Sequence, residues 1–150
     1  MKNILVCTDG SEQSLKAIEE AIKIANGCNT SDVAVINVIE RVKETPIMAE
    51  GYLYTKKEME DLRELAKHRR EEQEKILAKA IEIFKKSNIT ATPIAKEGHP
   101  AGAIAEEASE NDYDLVIVGS RGLGGLKKLL LGSVSNSVVQ EVETNVLVVK

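Results

Sequence analysis

Five short apolar runs, spaced along the whole chain and separated by segments of helical period, restrict the fold more than any other feature of this sequence. Residues 2–7 (KNILVC), 32–39 (DVAVINVI) and 114–119 (DLVIVG), together with a closing NVLVVK at 145–150, read as strands, the uninterrupted runs among them being of the kind buried on both faces of a parallel sheet. A weaker strand near 90–97 contains Pro93, which suits a sheet edge or a strand start. Between the strands, apolar residues recur at helical intervals. Leu15, Ile18, Ile22 and Ala25 follow the first strand, with Ser11 placed to cap that helix and Gly27 to end it. A long charged helix over 57–86 carries Met59, Leu62, Ile76, Leu77, Ala80, Ile83 and Phe84, and its polar middle at His68-Arg69-Arg70 reads as a solvated face. Pro100 opens a third helix with Ala101, Ile104, Ala105 and Ala108, and SVSNSVVQEV at 133–142 supplies the last. Residues 40 to about 55 have no clean period. Helix-bearing connections of this length make parallel crossovers, so the prediction is one domain over 1–150: a single doubly wound, five-stranded parallel α/β sheet with helices on both faces. In such sheets ligands lie beyond the carboxyl ends of the strands, where the connections diverge.

One stretch falls at such a strand end: Gly119-Ser-Arg-Gly122-Leu-Gly-Gly-Leu-Lys-Lys-Leu-Leu-Leu-Gly132-Ser133. Glycines let an anion approach backbone N–H groups closely, and a helix starting near Ser133 adds unpaired donors and about half a positive charge. The spacing lacks the Gly-Lys-Ser/Thr ending of a P-loop and the Gly-x-Gly-x-x-Gly of a dinucleotide loop. It does fit Gly-x2-Gly-x9-Gly-Ser, and with the flanking VIVGSRG and LLLGSVSNSVV it resembles the ATP-binding signature of the universal stress protein family. The opening KNILVCTDGSEQSLKAIEEAIKIA and the closing TNVLVVK resemble that family's first and last strands, so the resemblance spans the chain. It implies a Rossmann-like sheet of order 3-2-1-4-5, in which strands one and four are neighbours and Asp9 and Gly119 share a crevice. It also implies a homodimer through the C-terminal edge strand, which would otherwise stay open. The family often carries a proline before its last strand, where this chain has Glu143-Thr144-Asn145.

Each candidate residue has a ligand role and a plainer one. Gly119, Gly122 and Gly132 would admit phosphate oxygens, or serve only as loop glycines. Ser133 would cap its helix or turn its hydroxyl and N–H to a phosphate, with Val134 and Ser135 following in the same turn. Asp9 would accept from a ribose hydroxyl or an adenine amino group, or form an Asx turn, and Thr8 lies beside it. Val38 matches the family position whose backbone faces adenine, although any apolar strand residue would look the same. Arg121 would neutralise phosphate charge, and Lys127 and Lys128 would help electrostatically.

A formal net charge of −4 and 3% aromatic residues argue against nucleic acid as a partner. Nowhere do about twenty apolar residues run together, and the first residues are too short an apolar run for a signal segment, which predicts a soluble cytoplasmic protein without a membrane role. Cys7 and Cys28 lack metal or redox spacing and read as small apolar residues in a reducing compartment. His68 and His99 have no partners at metal-ligand spacing, and no nucleophile–base pair can be assembled. Binding is therefore favoured over turnover. The expectation is an ATP-binding, nucleotide-dependent switch or stress-response factor, with Mg²⁺ held mainly by the phosphates. The alternatives are a nucleotide-free homodimeric interaction protein of the same fold and a slow ATPase.

Overall fold

Parallel neighbours cannot be joined by a tight turn, and every connection in this chain accordingly carries a helix. The computed structural model of the protein describes residues 2–30, 32–42, 54–121 and 131–150. The strands are β1 (Asn3–Cys7), β2 (Asp32–Ile39), β3 (Ala91–Glu97), β4 (Leu115–Gly119) and β5 (Asn145–Val149). The helices are α1 (Glu12–Cys28), α2 (Lys56–Lys86), α3 (Pro100–Glu110) and α4 (Ser133–Glu141). All strand pairs are parallel, as the sequence predicts, and their order β3-β2-β1-β4-β5 is the one the family resemblance implies.

Alternation along the central strands divides the core into two layers. Ile4, Val6, Val33, Val35, Leu115 and Ile117 meet Ala17, Ile18 and Ala21 of α1 and Leu77, Ala80 and Phe84 of α2. The opposite face sets Leu5, Ile36, Val116 and Val118 against Ala101, Ile104 and Ala108 of α3 and Val138 of α4. Small residues on α1 and α3 let those helices lie close to the sheet. Each large apolar side chain buried this way contributes about 1.5–3 kcal/mol.

Local chemistry sets the element ends. Ser11 Oγ accepts from Ser14 N–H at 3.2 Å and caps α1. The helix does not stop at Gly27. It continues to Cys28 and closes on Asn29, which takes the left-handed conformation (φ 55°) that asparagine tolerates. Thr55 and Glu58 form a reciprocal capping box at the start of α2. Pro93 sits in the edge strand β3. Gly98 N–H donates to Ile39 O on the β2 side, and Pro93 is out of phase with it, so the nitrogen that cannot donate faces the open edge. The His68-Arg69-Arg70 run is more than a solvated face: Arg69 Nη1 donates to Glu40 O at 3.3 Å and Arg70 Nε to Glu97 Oε1 at 2.7 Å, which fastens α2 to the ends of β2 and β3. Among the described residues no helix is long and apolar enough to cross a membrane.

The two cysteines differ. Cys7 is buried, and burial pushes its thiol up to about 12. Cys28 is exposed at the end of α1, so only Cys7 is the small apolar core residue that the sequence predicts for both. In a thiol titration at neutral pH, Cys28 alone should react in the native protein, with Cys7 reacting only in denaturant. Rapid native reaction of Cys7 would contradict this packing.

Candidate functional site

After β1 the chain turns to the face that holds α1, and after β4 it turns to the face that holds α4. Adjacent parallel strands whose connections leave to opposite sides open a crevice at their carboxyl ends. The described candidates Thr8, Asp9, Gly119, Arg121, Gly132, Ser133, Val134 and Ser135 all lie on the two chain segments flanking it, with Val38 one strand away near the end of β2.

On the β1 side the turn is tightly bonded. Asp9 Oδ1 accepts from Ser11 N–H at 2.9 Å, an Asx turn that brings the half-buried carboxylate to the crevice mouth. Gly10 follows at φ +80°, a conformation that favours glycine. Thr8 is only 6% exposed, and its Oγ1 accepts from Gly10 N–H at 3.3 Å and lies 3.1 Å from Ser14 Oγ. Its hydroxyl therefore braces the turn from inside.

The β4 side gives Gly119 a reason other than phosphate access. A Cβ there would stand 2.9 Å from both the carbonyl carbon and oxygen of Gln13, in the first turn of α1. Gly119 is the point where the end of β4 touches a neighbouring helix backbone. Ser120, which sequence reasoning passed over, is a hub. Its N–H donates to Val149 O at 2.7 Å, and its carbonyl accepts from Gly132 N–H at 2.8 Å and from Ser135 Oγ at 3.0 Å. Ser135 Oγ also lies 3.0 Å from Gly132 O, and the residue is 2% exposed. The two ends of the glycine-rich segment are thus fastened together at Ser120 and Gly132. Gly122, Lys127 and Lys128 lie outside the described residues.

Ser133 is not the helix cap. Gly132 occupies that position at φ −60° and ψ 159°, and Ser133, exposed, is the first helical residue. The side chains of Ser11, Thr55 and His99 cap α1, α2 and α3, whereas no side chain caps α4. The first intrahelical bond is Asn136 N–H to Gly132 O at 2.9 Å, which leaves the N–H groups of Ser133, Val134 and Ser135 ahead of it without a preceding turn to bond. An uncapped start bearing the positive end of the helix dipole attracts an anion. The half-buried Arg121 adds formal positive charge on the strand side. Among the described residues no group of three His, Cys, Asp or Glu side chains is arranged to hold a metal ion.

Two buried amides also went unnoticed in the sequence. Asn37 Nδ2 donates to Thr8 O at 2.6 Å, and Gln73 Nε2 donates to Asn37 O at 2.9 Å and Lys96 O at 3.0 Å. The signal for Asn37 was present as the one amide inside the apolar run DVAVINVI.

Known proteins resemble this chain in sequence and fold over nearly its whole length. The model of the universal stress protein family matches residues 1–150. Universal stress protein YxiE of Bacillus subtilis is 33% identical over 147 residues, 98% of this chain and 97% of that protein. The solved structure of the hypothetical protein MJ0577 superposes with a TM-score of 0.82 at 27% identity, covering 99% of this chain and 95% of that one. A universal stress protein solved in complex with cAMP superposes with a TM-score of 0.70 at 29% identity, covering 99% and 97%.

The geometry separates the two glycines. Gly119→Ala should cost about 1–3 kcal/mol of stability, because backbone rather than a yielding side chain blocks the new methyl. Gly132→Ala should cost about 1 kcal/mol or less, since its φ is ordinary and a methyl there would meet nothing closer than 3.4 Å. Thermal unfolding of the two variants compares them, and equal midpoints would refute the packing assigned to Gly119.

Proposed function

Because the chain belongs to the universal stress protein family, we propose that its crevice binds an adenine nucleotide, ATP in the working state, and that occupancy switches a cytoplasmic homodimer acting in a stress response. The observation that carries this reading is the uncapped start of α4, whose Ser133, Val134 and Ser135 N–H groups follow the only N-terminal helix cap among the described residues that lacks a side-chain oxygen or nitrogen. The complex of a 29% identical universal stress protein with cAMP supports the nucleotide class. In this reading the phosphates lie between the N-terminus of α4 and Arg121, with Gly122 and Gly132 admitting them, while Asp9, Thr8 and Val38 line the nucleoside end. Mg²⁺ enters with the triphosphate and is held mainly by it, since phosphate oxygens and water satisfy its octahedral preference. Gly119 contributes by shaping the floor of the crevice, and Ser135 through its N–H, since its hydroxyl already bonds within the protein.

The dimer is supported by β5. Its residues Val146 to Val149 are half-buried at an open sheet edge, and pairing with the same strand of a second copy would cover them.

Two measurements test the nucleotide reading. Denaturing the freshly purified protein should release an adenine nucleotide, and calorimetric titration of stripped protein with Mg-ATP should saturate. Ser133→Pro sharpens the test, because proline is favoured at the first helical position and the preceding Gly132 is already extended, so the fold should be kept while one N–H and one hydroxyl are lost. Its affinity for ATP should fall by roughly tenfold or more, with Ser133→Ala showing the hydroxyl's share. A folded wild-type dimer that neither releases nor binds nucleotide would shift the function to a nucleotide-free interaction protein.

A further inference from the structure

The β1–β2 ladder ends at the Cys7–Ile36 pair, although β2 goes on pairing with β3 as far as Ile39 and Glu97. The last bond on the β1 side runs from Thr8 N–H to Ile36 O at 3.0 Å, and on the β3 side from Gly98 N–H to Ile39 O at 2.9 Å. In a strand, the N–H and C=O of one residue point to the same side, and successive residues alternate. Ile36 thus faces β1 and Ile39 faces β3, which directs both backbone groups of Val38 toward β1. A continuing ladder would take Val38 N–H to Thr8 O. That rung is not made, and Asn37 Nδ2 bonds Thr8 O in its place at 2.6 Å.

We propose that Asn37 is a positioning residue: its side-chain amide replaces the missing rung, and so keeps the N–H and C=O of Val38 side by side and unspent for a flat heterocycle that presents an amino donor next to a ring-nitrogen acceptor. This deepens, and rests on, the nucleotide reading of the crevice. Asn37 is 4% exposed, and its Oδ1 has no partner among the described residues. A buried acceptor left unpaired weakens the fold, and an aliphatic residue would continue the run on either side of it, so stability does not account for the amide. The amide cannot turn over, because Oδ1 would then face Thr8 O, acceptor against acceptor. From the other side Gln73, also 4% exposed, holds the carbonyls of Asn37 and Lys96 together. Asn37 is thereby gripped through its own carbonyl by α2 while its side chain grips β1. The opening between Thr8 and Val38 keeps a set width.

Backbone hydrogen exchange of the full chain without ligand, followed by NMR, tests this directly. The Val38 amide should exchange roughly tenfold or more faster than that of Ile36, which lies inside the ladder. In Asn37→Ala the released Thr8 carbonyl should capture Val38 N–H, slowing its exchange to that of its neighbours, while the affinity for AMP falls roughly tenfold. Asn37→Asp, equal in shape but without the donor, should lose affinity to the same order. A wild-type Val38 amide as slow as Ile36, or an Asn37→Ala protein that binds AMP as the wild type does, overturns the proposal. If the wild type binds no adenine nucleotide, the functional reading fails separately, and the exchange of Val38 alone decides the role of Asn37. That exchange needs no variant, so the proposal stays testable if Asn37→Ala does not fold.

Discussion

A strand that stops pairing leaves backbone N–H and C=O groups that must find other partners or water, and the carboxyl edge of this sheet is organised around that requirement. Interior rungs satisfy themselves, but at Thr8 and Ser120 the ladder ends and substitutes take over, while the carbonyls of Asn37 and Lys96, still inside the β2–β3 ladder, receive a further donor. Asn37 supplies the bond to Thr8 O, Gln73 the bonds to Asn37 O and Lys96 O, and Gly132 and Ser135 the bonds to Ser120 O. Each substitute reaches from another element. The edge where the strands diverge is therefore cross-braced around the few backbone groups, at Val38 and at the start of α4, that stay unpaired among the described residues.

The braced edge contrasts with the start of α4, the one helix start left bare among the described residues. Side-chain caps close α1, α2 and α3, and each takes up one of the N–H groups that an outside anion would bond. Glycine at the cap of α4 supplies no such group and places no side chain beside the first N–H groups. Opposite stands the Thr8–Ser11 turn, in which every described side chain is bonded within the turn or to Ser14. One wall thus offers formed geometry and the other offers donors, a division suited to holding a ligand whose two ends differ in charge.

The parallel sheet and most element ends follow from features written locally in the chain, namely apolar runs, helical periods, Ser11, Pro100 and the edge-seeking Pro93, whereas the strand order is reached only through the family resemblance. What escaped the sequence depends on which residues meet across the fold. Gly27 looks like a helix terminator, yet the helix runs one residue further and closes on Asn29, because either residue tolerates the left-handed turn. Gly119 reads as an anion-loop glycine, and only the approach of Gln13 gives it a packing reason. Ser135 looks like a ligand hydroxyl until its burial against Ser120 is seen. Arg69 and Arg70 resemble any charged surface until the strand ends they hold are known. Asn37 was hidden differently, since one polar residue in an apolar strand says nothing about which neighbouring backbone group lacks a partner.

Ser120 joins features that the sequence presents as separate. Its N–H completes the β4–β5 ladder at Val149 O, and its carbonyl receives the two bonds that anchor Gly132 and Ser135 at the start of α4. A peptide group is planar, so its N–H and the carbonyl of the residue it opens are separated by only two soft torsions. The end of β5 and the start of α4 are thereby bonded to the two polar backbone groups of one residue, so a single position ties the edge strand to the bare helix start.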